Sequence, residues 1–412
     1  MRGIPLSHRS LAWLTPATAE AAALGRSILF AWSLGPEELG QAMMLAVTLR
    51  LVEMASDVGI DRLMLQAPDG NRAELQSELH GVCLMRGLIG ATILLGLAPV
   101  MAFLFAGGPT TSSYALLAVI PLIRGWAHLD YRRFERRFSY FKMSLVEGGA
   151  TLVMAASLLP AVWVFPDHRA MSIVLIAHAT AHMTLSHVIA TRHYSAQLTF
   201  ATLHRCWVFG APLILNASLL FVIFYADRLI VAHAFSWDAV ALYGVALQLA
   251  LLPAQIVGRA AASLVLPALR RARAQNRLSV VWQSIMTSYA LLAGFLAAAL
   301  ALFAPAGIAL IYGAAFRPDH SLALALAIAA GFRVLRTPFS QFALATGRTG
   351  DPARANIIRA LALIPATFFA SAGLPLAFIA AAAALGEAGA TLRAYQLART
   401  PTTHANPKGT YA

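Results

Sequence analysis

Charge is what this sequence has least of. Asp, Glu, Lys and Arg make up 12% of 412 residues, about half the share of a soluble domain. So thin a charge density cannot coat a globule of this size, which excludes a soluble enzyme, and 59% hydrophobic residues exclude a disordered chain. Lysine is nearly absent: only Lys142 and Lys408 interrupt an otherwise arginine set of 31 basic residues. Cysteine is scarce too. Cys83 and Cys206 are the only two, and both fall near expected cytoplasmic helix ends, where thiols stay free. No polar stretch exceeds about 20 residues, far below domain size. No phosphate-cradling glycine loop, zinc pattern or nucleophile elbow occurs, so no ATP-driven pump, enzyme, metal or cofactor is expected.

Apolar runs are what the chain has in abundance. One bilayer span needs about 20 such residues. The runs are 10–33, 39–60, 80–106, 113–130, 143–165, 170–191, 207–233, 238–266, 280–312, 320–343, 354–373 and 375–397, which makes twelve transmembrane helices and an all-α polytopic membrane protein. The first run is too long for a signal-peptide core and is broken by Pro16, Glu20 and Arg26, so it reads as a retained span. Turn residues such as Gly35-Pro36, Gly107-Gly108-Pro109 and Pro318-Asp319 fall between runs. With the N-terminus inside, twenty Lys and Arg lie in inner segments and only Arg169 and Arg317 in outer loops. That bias puts both termini in the cytoplasm, and it accounts for the net charge of +13 without nucleic acid as a partner.

A shift of 201 residues lays the second six runs on the first six. Tyr131-Arg132, Phe138-Ser139 and Phe141 fall on Phe332-Arg333, Phe339-Ser340 and Phe342, and Leu34, Glu37 and Leu39 fall on Phe235, Asp238 and Val240. An offset of six helices keeps the orientation, so the repeat is parallel, about an axis along the membrane normal. It gives six-helix lobes at 1–200 and 201–400, a cleft between them, and a cytoplasmic tail at 401–412.

Several short stretches carry a family resemblance. They are Leu34-Gly35-Pro36-Glu37-Glu38-Leu39-Gly40, Asp227-Arg228-Leu229-Ile230-Val231, Ala241-Leu242-Tyr243-Gly244, Arg132-Arg133-Phe134-Glu135-Arg136-Arg137-Phe138 with Val146-Glu147, and Ala345-Thr346-Gly347-Arg348-Thr349. In this order the chain resembles the polysaccharide-transporter flippases (O-antigen and exopolysaccharide) of the multidrug/oligosaccharidyl-lipid/polysaccharide exporter superfamily. The resemblance implies alternating access around a central cavity. It also implies a lipid-linked substrate, an undecaprenyl-diphosphate oligosaccharide moved across the inner membrane for surface polysaccharide or lipopolysaccharide synthesis, with membrane lipids and a polysaccharide polymerase or other assembly proteins as partners. A cation or drug antiporter of the same fold is the alternative. Ala241 stands where a glycine like Gly40 would be expected.

Nine arginines fall five or more residues inside the ends of runs. Each costs on the order of 3 kcal/mol at the bilayer centre. Arg86, Arg336 and Arg359 lie near inner ends and are expected to snorkel. Arg26, Arg50, Arg259 and Arg333 are deeper and, with Arg124, are the candidates to bind an anionic substrate, since arginine grips phosphate bidentately and keeps its charge. Asn216 and Gln248 are the candidates for glycan hydroxyls. Glu53, Asp57 and Glu387 are candidates for ion coupling or for structural ion pairs. Arg50, Glu53 and Asp57 recur at one helical face. His178 and His182 have a metal-ligand spacing, but helix–helix hydrogen bonding is the favoured role.

The charge pattern predicts that reporter fusions after Thr191, after Arg277 and at the C-terminus read as cytoplasmic, and fusions after Gly108 and Pro318 as periplasmic. Two reversals would overturn the twelve-span topology.

Overall fold

The computed structural model describes residues 6–399, with side chains from Thr18 onward except Ala19. The expected tail at 401–412 lies outside the described residues. Among these residues there is helix and no strand. The first element, α1 (Leu6–Ala55), is two arms meeting at Gly35, with φ 78° and ψ −179°. Only glycine takes that φ at no steric cost, and Pro36 then opens the second arm where its missing N–H is not needed.

The remaining helices are α2 (Ile60–Gln66), α3 (Ala73–Leu104), α4 (Thr111–Leu116), α5 (Val119–Gly125), α6 (Asp130–Glu135), α7 (Phe141–Val164), α8 (Arg169–Val188), α9 (Phe200–Ala234), α10 (Trp237–Ala274), α11 (Leu278–Tyr312), α12 (His320–Ala345), α13 (Asp351–Leu361), α14 (Leu363–Ser371) and α15 (Leu376–Arg399). Nine of the described helices, with α13 and α14 taken together, are long and apolar enough to cross a membrane. The two arms of α1 and the α4–α5 pair complete the twelve expected runs in order.

Three runs are less regular than their hydropathy implies. The second stops at Ala55 rather than continuing to 60, because Gly59 takes φ 69° and the Asp57 carboxylate accepts its N–H at 3.0 Å. Asp57 is therefore in a turn, not on the helical face of Arg50 and Glu53. The fourth breaks at Leu117-Ala118, since Pro121 has no N–H to return to Leu117. Pro365 breaks α13 from α14 at Ala362 in the same way.

The chain packs as two compact units, Met1–Gly244 with Ile311–Phe316, and Val245–Leu310 with Arg317–Ala412. In the first unit α3 lies against α4 and α5, and α7 against α1 and α8. Cys83 and Cys206 are free and buried in one core cluster with Ile60, Leu63, Met64 and Leu79. In the second unit α15 packs on α12, α13 and α14. Val265 and Leu269 of α10, Trp282 and Ile285 of α11 and Phe342 of α12 share another apolar cluster. Outward faces carry large apolar groups, among them Trp163, Phe200 and Leu310, as a lipid-facing surface requires.

The inner arginines stitch the first unit together. Arg136 Nη1 donates to the carbonyls of Met64 (2.5 Å) and Leu65 (2.9 Å), closing the end of α2. Lys142 Nζ donates to Ile189 O at the end of α8, at 3.0 Å. Arg205 of α9 grips Asp69 with two 2.7 Å bonds, and Thr202 Oγ1 donates to Glu78 of α3 at 2.5 Å. These bonds tie α9, the seventh run, to the first unit. Asp227 at the other end of α9 accepts a bond from the buried Tyr243 hydroxyl at 2.9 Å.

The repeat pair Gly40 and Ala241 meet directly. A Cβ on Gly40 would sit 2.1 Å from Trp237 O and 3.3 Å from Ala241 N, so one side of this helix crossing must be bare. Gly40→Ala is expected to destabilise the fold by about 1–3 kcal/mol through forced separation of α1 and α10, read as a lower melting temperature in detergent. An unchanged melting temperature would show that the crossing has slack.

The Arg205 fork holds the Asp69 carboxyl down at about 2, from an ordinary 3.8. A depressed acid contributes stability that is complete above its unfolded value and is lost as pH falls through its folded one. The melting temperature of Asp69→Asn is therefore expected to lie below that of the native protein at about pH 6, with the gap closing as pH falls from about 4 to about 2. A gap independent of pH would mean that the contact is not electrostatic.

Candidate functional site

The end of α1, the 56–59 turn and α2 form one wall of a cleft of about 390 Å³, with α3, α5 and α9 completing it. The backbone geometry makes room for it. Gly210 lets α9 approach the turn so closely that a Cβ there would meet Val58 O at 2.5 Å, and Gly87 lets α3 pass Pro121 O at the same 2.5 Å. Leu49, Val52, Leu94, Leu213 and Leu220 supply apolar lining.

The polar lining is charged and interleaved. Arg50, Arg62, Arg86 and Arg124 face it together with Glu53, Asp57 and Asp61, and Asn216 joins from α9. Arg124 Nη1 donates to Glu53 Oε1, and Arg50 Nη1 lies 3.7 Å from Oε2 of the same carboxylate. Arg86 Nη1 is 3.5 Å from Asp57 Oδ1. Asp61 is 3.3 Å from Arg132 Nη2, which also donates to Glu147 at 2.8 Å, while Arg132 Nη1 donates to Glu135 at 3.3 Å. His182 Nε2 shares a 3.2 Å hydrogen bond with the Tyr131 hydroxyl and sits 3.7 Å from Glu147. That is the helix–helix hydrogen bonding expected of His182. His187 joins in kind, 2.8 Å from Trp126 O. Among the described residues no group of His, Cys, Asp and Glu could hold a metal ion.

Of the sequence candidates, Arg50, Arg124, Asn216, Glu53 and Asp57 are brought together in this cleft. Arg26 is not among its lining residues: its Nη1 reaches Met154 Sδ of α7 at 3.6 Å. Arg259 and Gln248 are half-buried on α10, in the second unit. Arg333 and Glu387 also belong to that unit and form part of one cluster. Glu387 is buried, with Arg359 Nη2 at 2.8 Å, Arg336 Nη2 at 3.3 Å and Arg333 Nη1 at 3.9 Å. Asn356 Oδ1 accepts from both Arg336 (3.3 Å) and Arg359 (3.4 Å). Arg336 and Arg359 thus do not snorkel to an interface; a buried carboxylate holds them inside. Arg86 lines the cleft, where it pairs with Asp57.

Sequence reasoning missed Asp61, Arg62 and Arg86 as lining residues. The signal was present in the four-residue spacing of Glu53, Asp57 and Asp61. Arg86 gave no such signal, since its partner is 29 positions away.

An all-helical membrane protein with an arginine-rich cleft built into its first unit is the class that fold and site define. Residues 29–319 match the family described as "Polysaccharide biosynthesis protein", and the chain belongs to that family. A search of curated proteins found no match. Among solved structures the chain is similar to the inward closed conformation of the lipid II flippase MurJ, with a TM-score of 0.75 and 13% identity over 94% of this chain and 87% of that one. It is similar to an inward-facing multidrug resistance MATE family transporter of the MOP superfamily, with a TM-score of 0.68 and 13% identity over 92% of this chain and 94% of the other. It is also similar to a MOP superfamily transporter from Pyrococcus furiosus described by the reverse polarity of its binding pocket, with a TM-score of 0.58 and 14% identity over 97% and 96% of the two chains. At these identities the likeness establishes the fold, that of the MOP-superfamily transporters.

Proposed function

We propose that this protein is a flippase for a lipid-linked oligosaccharide, moving a polyprenyl-diphosphate glycan across the bacterial inner membrane by alternating access. The observation that carries the reading is the cleft: four arginines and an asparagine face a space of about 390 Å³ inside a chain of the polysaccharide biosynthesis family. A diphosphate diester carries about two charges, which one or two guanidinium forks can neutralise. Asn216 beside them can meet sugar hydroxyls. The likeness in fold to MurJ, a lipid II flippase, is consistent with such a substrate. Arg26, Arg259 and Arg333 add positive potential on both sequence halves, 1–200 and 201–400, which we take as the two transport lobes of a parallel repeat. Both termini, with the 401–412 tail, are placed in the cytoplasm by the arginine bias of the inner segments. The product would pass to a polymerase or other assembly proteins on the outer face.

A cation or drug antiporter of the same fold is the second reading, in keeping with the MATE likeness. It needs carboxylates available to a cation. Glu53, Asp57 and Asp61 are each within 3.7 Å of a guanidinium, and so are already compensated.

Arg50→Ala, Arg124→Ala and Arg259→Ala are expected to cut polysaccharide export by about tenfold or more in a flippase-null strain, at unchanged membrane abundance. Lysine at the same positions is expected to restore export only in part, because it keeps the charge but not the fork. Native export from all the alanine variants would remove the anionic-cleft mechanism and favour the antiporter.

A further inference from the structure

The cleft described above already holds its own anions. Arg50, Arg62, Arg86 and Arg124 face Glu53, Asp57 and Asp61, a formal balance of four positive to three negative. Three of the four arginines are turned onto cleft carboxylates: Arg124 and Arg50 onto Glu53, and Arg86 onto Asp57. Asp61 is turned to Arg132, behind α2. Glu53 occupies Nη1 of Arg124 and lies against Nη1 of Arg50, and a donor given to a carboxylate is one that an arriving phosphate must take from it. Glu53 is the carboxylate in the way. Its side chain is 21% exposed, it engages two arginines from two elements, and Arg124 meets it with a direct hydrogen bond.

We infer that Glu53 is the resident counter-anion of the cleft, displaced from Arg124 when a diphosphate binds and taking up a proton as it leaves. This rests on the anionic-headgroup reading. Arg50 and Arg124 contact Glu53; the other charged groups of the same cleft are Asp57 after α1, Asp61 and Arg62 of α2 and Arg86 of α3, with His178 of α8 near Arg124, while α9 contributes Asn216, which does not titrate. Two added negative charges turn the balance from one positive to one negative. A displaced, mostly buried carboxylate then faces a phosphate in place of its guanidinium, and the charged form is the one that burial and a like charge both disfavour. The proton comes from bulk water to a Glu53 carboxylate oxygen, and no bond other than that O–H is formed. The pairing also sets specificity: an anion must outcompete an intramolecular carboxylate to be held, which selects ligands with two adjacent phosphates over single ones.

The test is calorimetric titration of the purified full-length protein in detergent with UDP-glucose, a soluble diphosphate diester whose own charges do not change near neutrality. The titration is run at one pH in two buffers of different ionisation heat, which yields the protons taken up. Native protein is expected to take up about half to one proton per ligand. Glu53→Gln is expected to bind about tenfold more tightly and to lose that uptake, while Glu53→Asp keeps it; melting temperatures of all three verify folding. Uptake by native protein that persists unchanged in Glu53→Gln overturns the assignment to Glu53. Binding with no proton uptake, or tenfold weaker binding by folded Glu53→Gln, overturns the displacement itself. No binding by any of the three removes the anionic-cleft reading, and this inference with it.

Discussion

A guanidinium stays ionised at any pH this protein meets, so each one placed within the hydrocarbon layer must be given an anion or water. Much of the structure follows from that constraint. In the first unit it pairs Arg50 and Arg124 with Glu53, and Arg86 with Asp57. In the second it gathers Arg333, Arg336 and Arg359 around the single buried Glu387. The helices carrying these residues are fixed in register by the pairings, because sliding α5 along α1 or α13 along α15 by one turn would strand a charge. The two arrangements differ in one respect that bears on function. The Glu387 cluster is closed, with Glu387 and Arg336 buried and Asn356 bracing Arg336 and Arg359, whereas the Glu53 pairings line an open cleft.

Outside the apolar layer the same residue type has a different task. Arg136, Lys142, Arg192 and Arg205 spend their donors on helix-end carbonyls and loop acids. Asp130 shows how far this goes. Burial pushes its carboxyl up, but bonds from Arg133 and from the Thr191 backbone and hydroxyl outweigh that and hold it at about 2. Inner basic residues therefore orient the chain and also cement the loops that they orient.

The close helix approaches are the complement of these polar ties. With no hydrophobic driving force between helices in lipid, small residues and hydrogen bonds hold the bundle. Gly40, Gly87 and Gly210 bring backbones into contact where the cleft walls and the α1–α10 crossing need it. The histidines of α3, α5–α6 and α8 add polar glue: His80 stacks on Tyr194, and His128 joins Arg192 O at 3.0 Å.

The order and type of the helices were legible in the sequence because hydropathy and turn residues act locally. Every expected run has a helix in the structure, and Gly35-Pro36 alone was enough to divide the first two. The family was legible as well, from short stretches kept in order along the chain. Half of the site was readable: Arg50, Arg124, Glu53 and Asp57 were picked out by the cost of charge in an apolar run and Asn216 as a partner for sugar hydroxyls, and they converge. Which of the deep arginines share a cavity was not readable, since Arg26 and Arg50 sit on adjacent spans and only Arg50 lines this cleft. Nor was the fate of Arg86, Arg336 and Arg359, whose position near helix ends pointed to snorkelling. Their partners Asp57 and Glu387 lie about 30 to 50 residues away in the sequence, one in a turn and the other on α15. A single sequence records that a charge is costly where it stands; the anion that relieves it is chosen by packing, which only the folded chain decides.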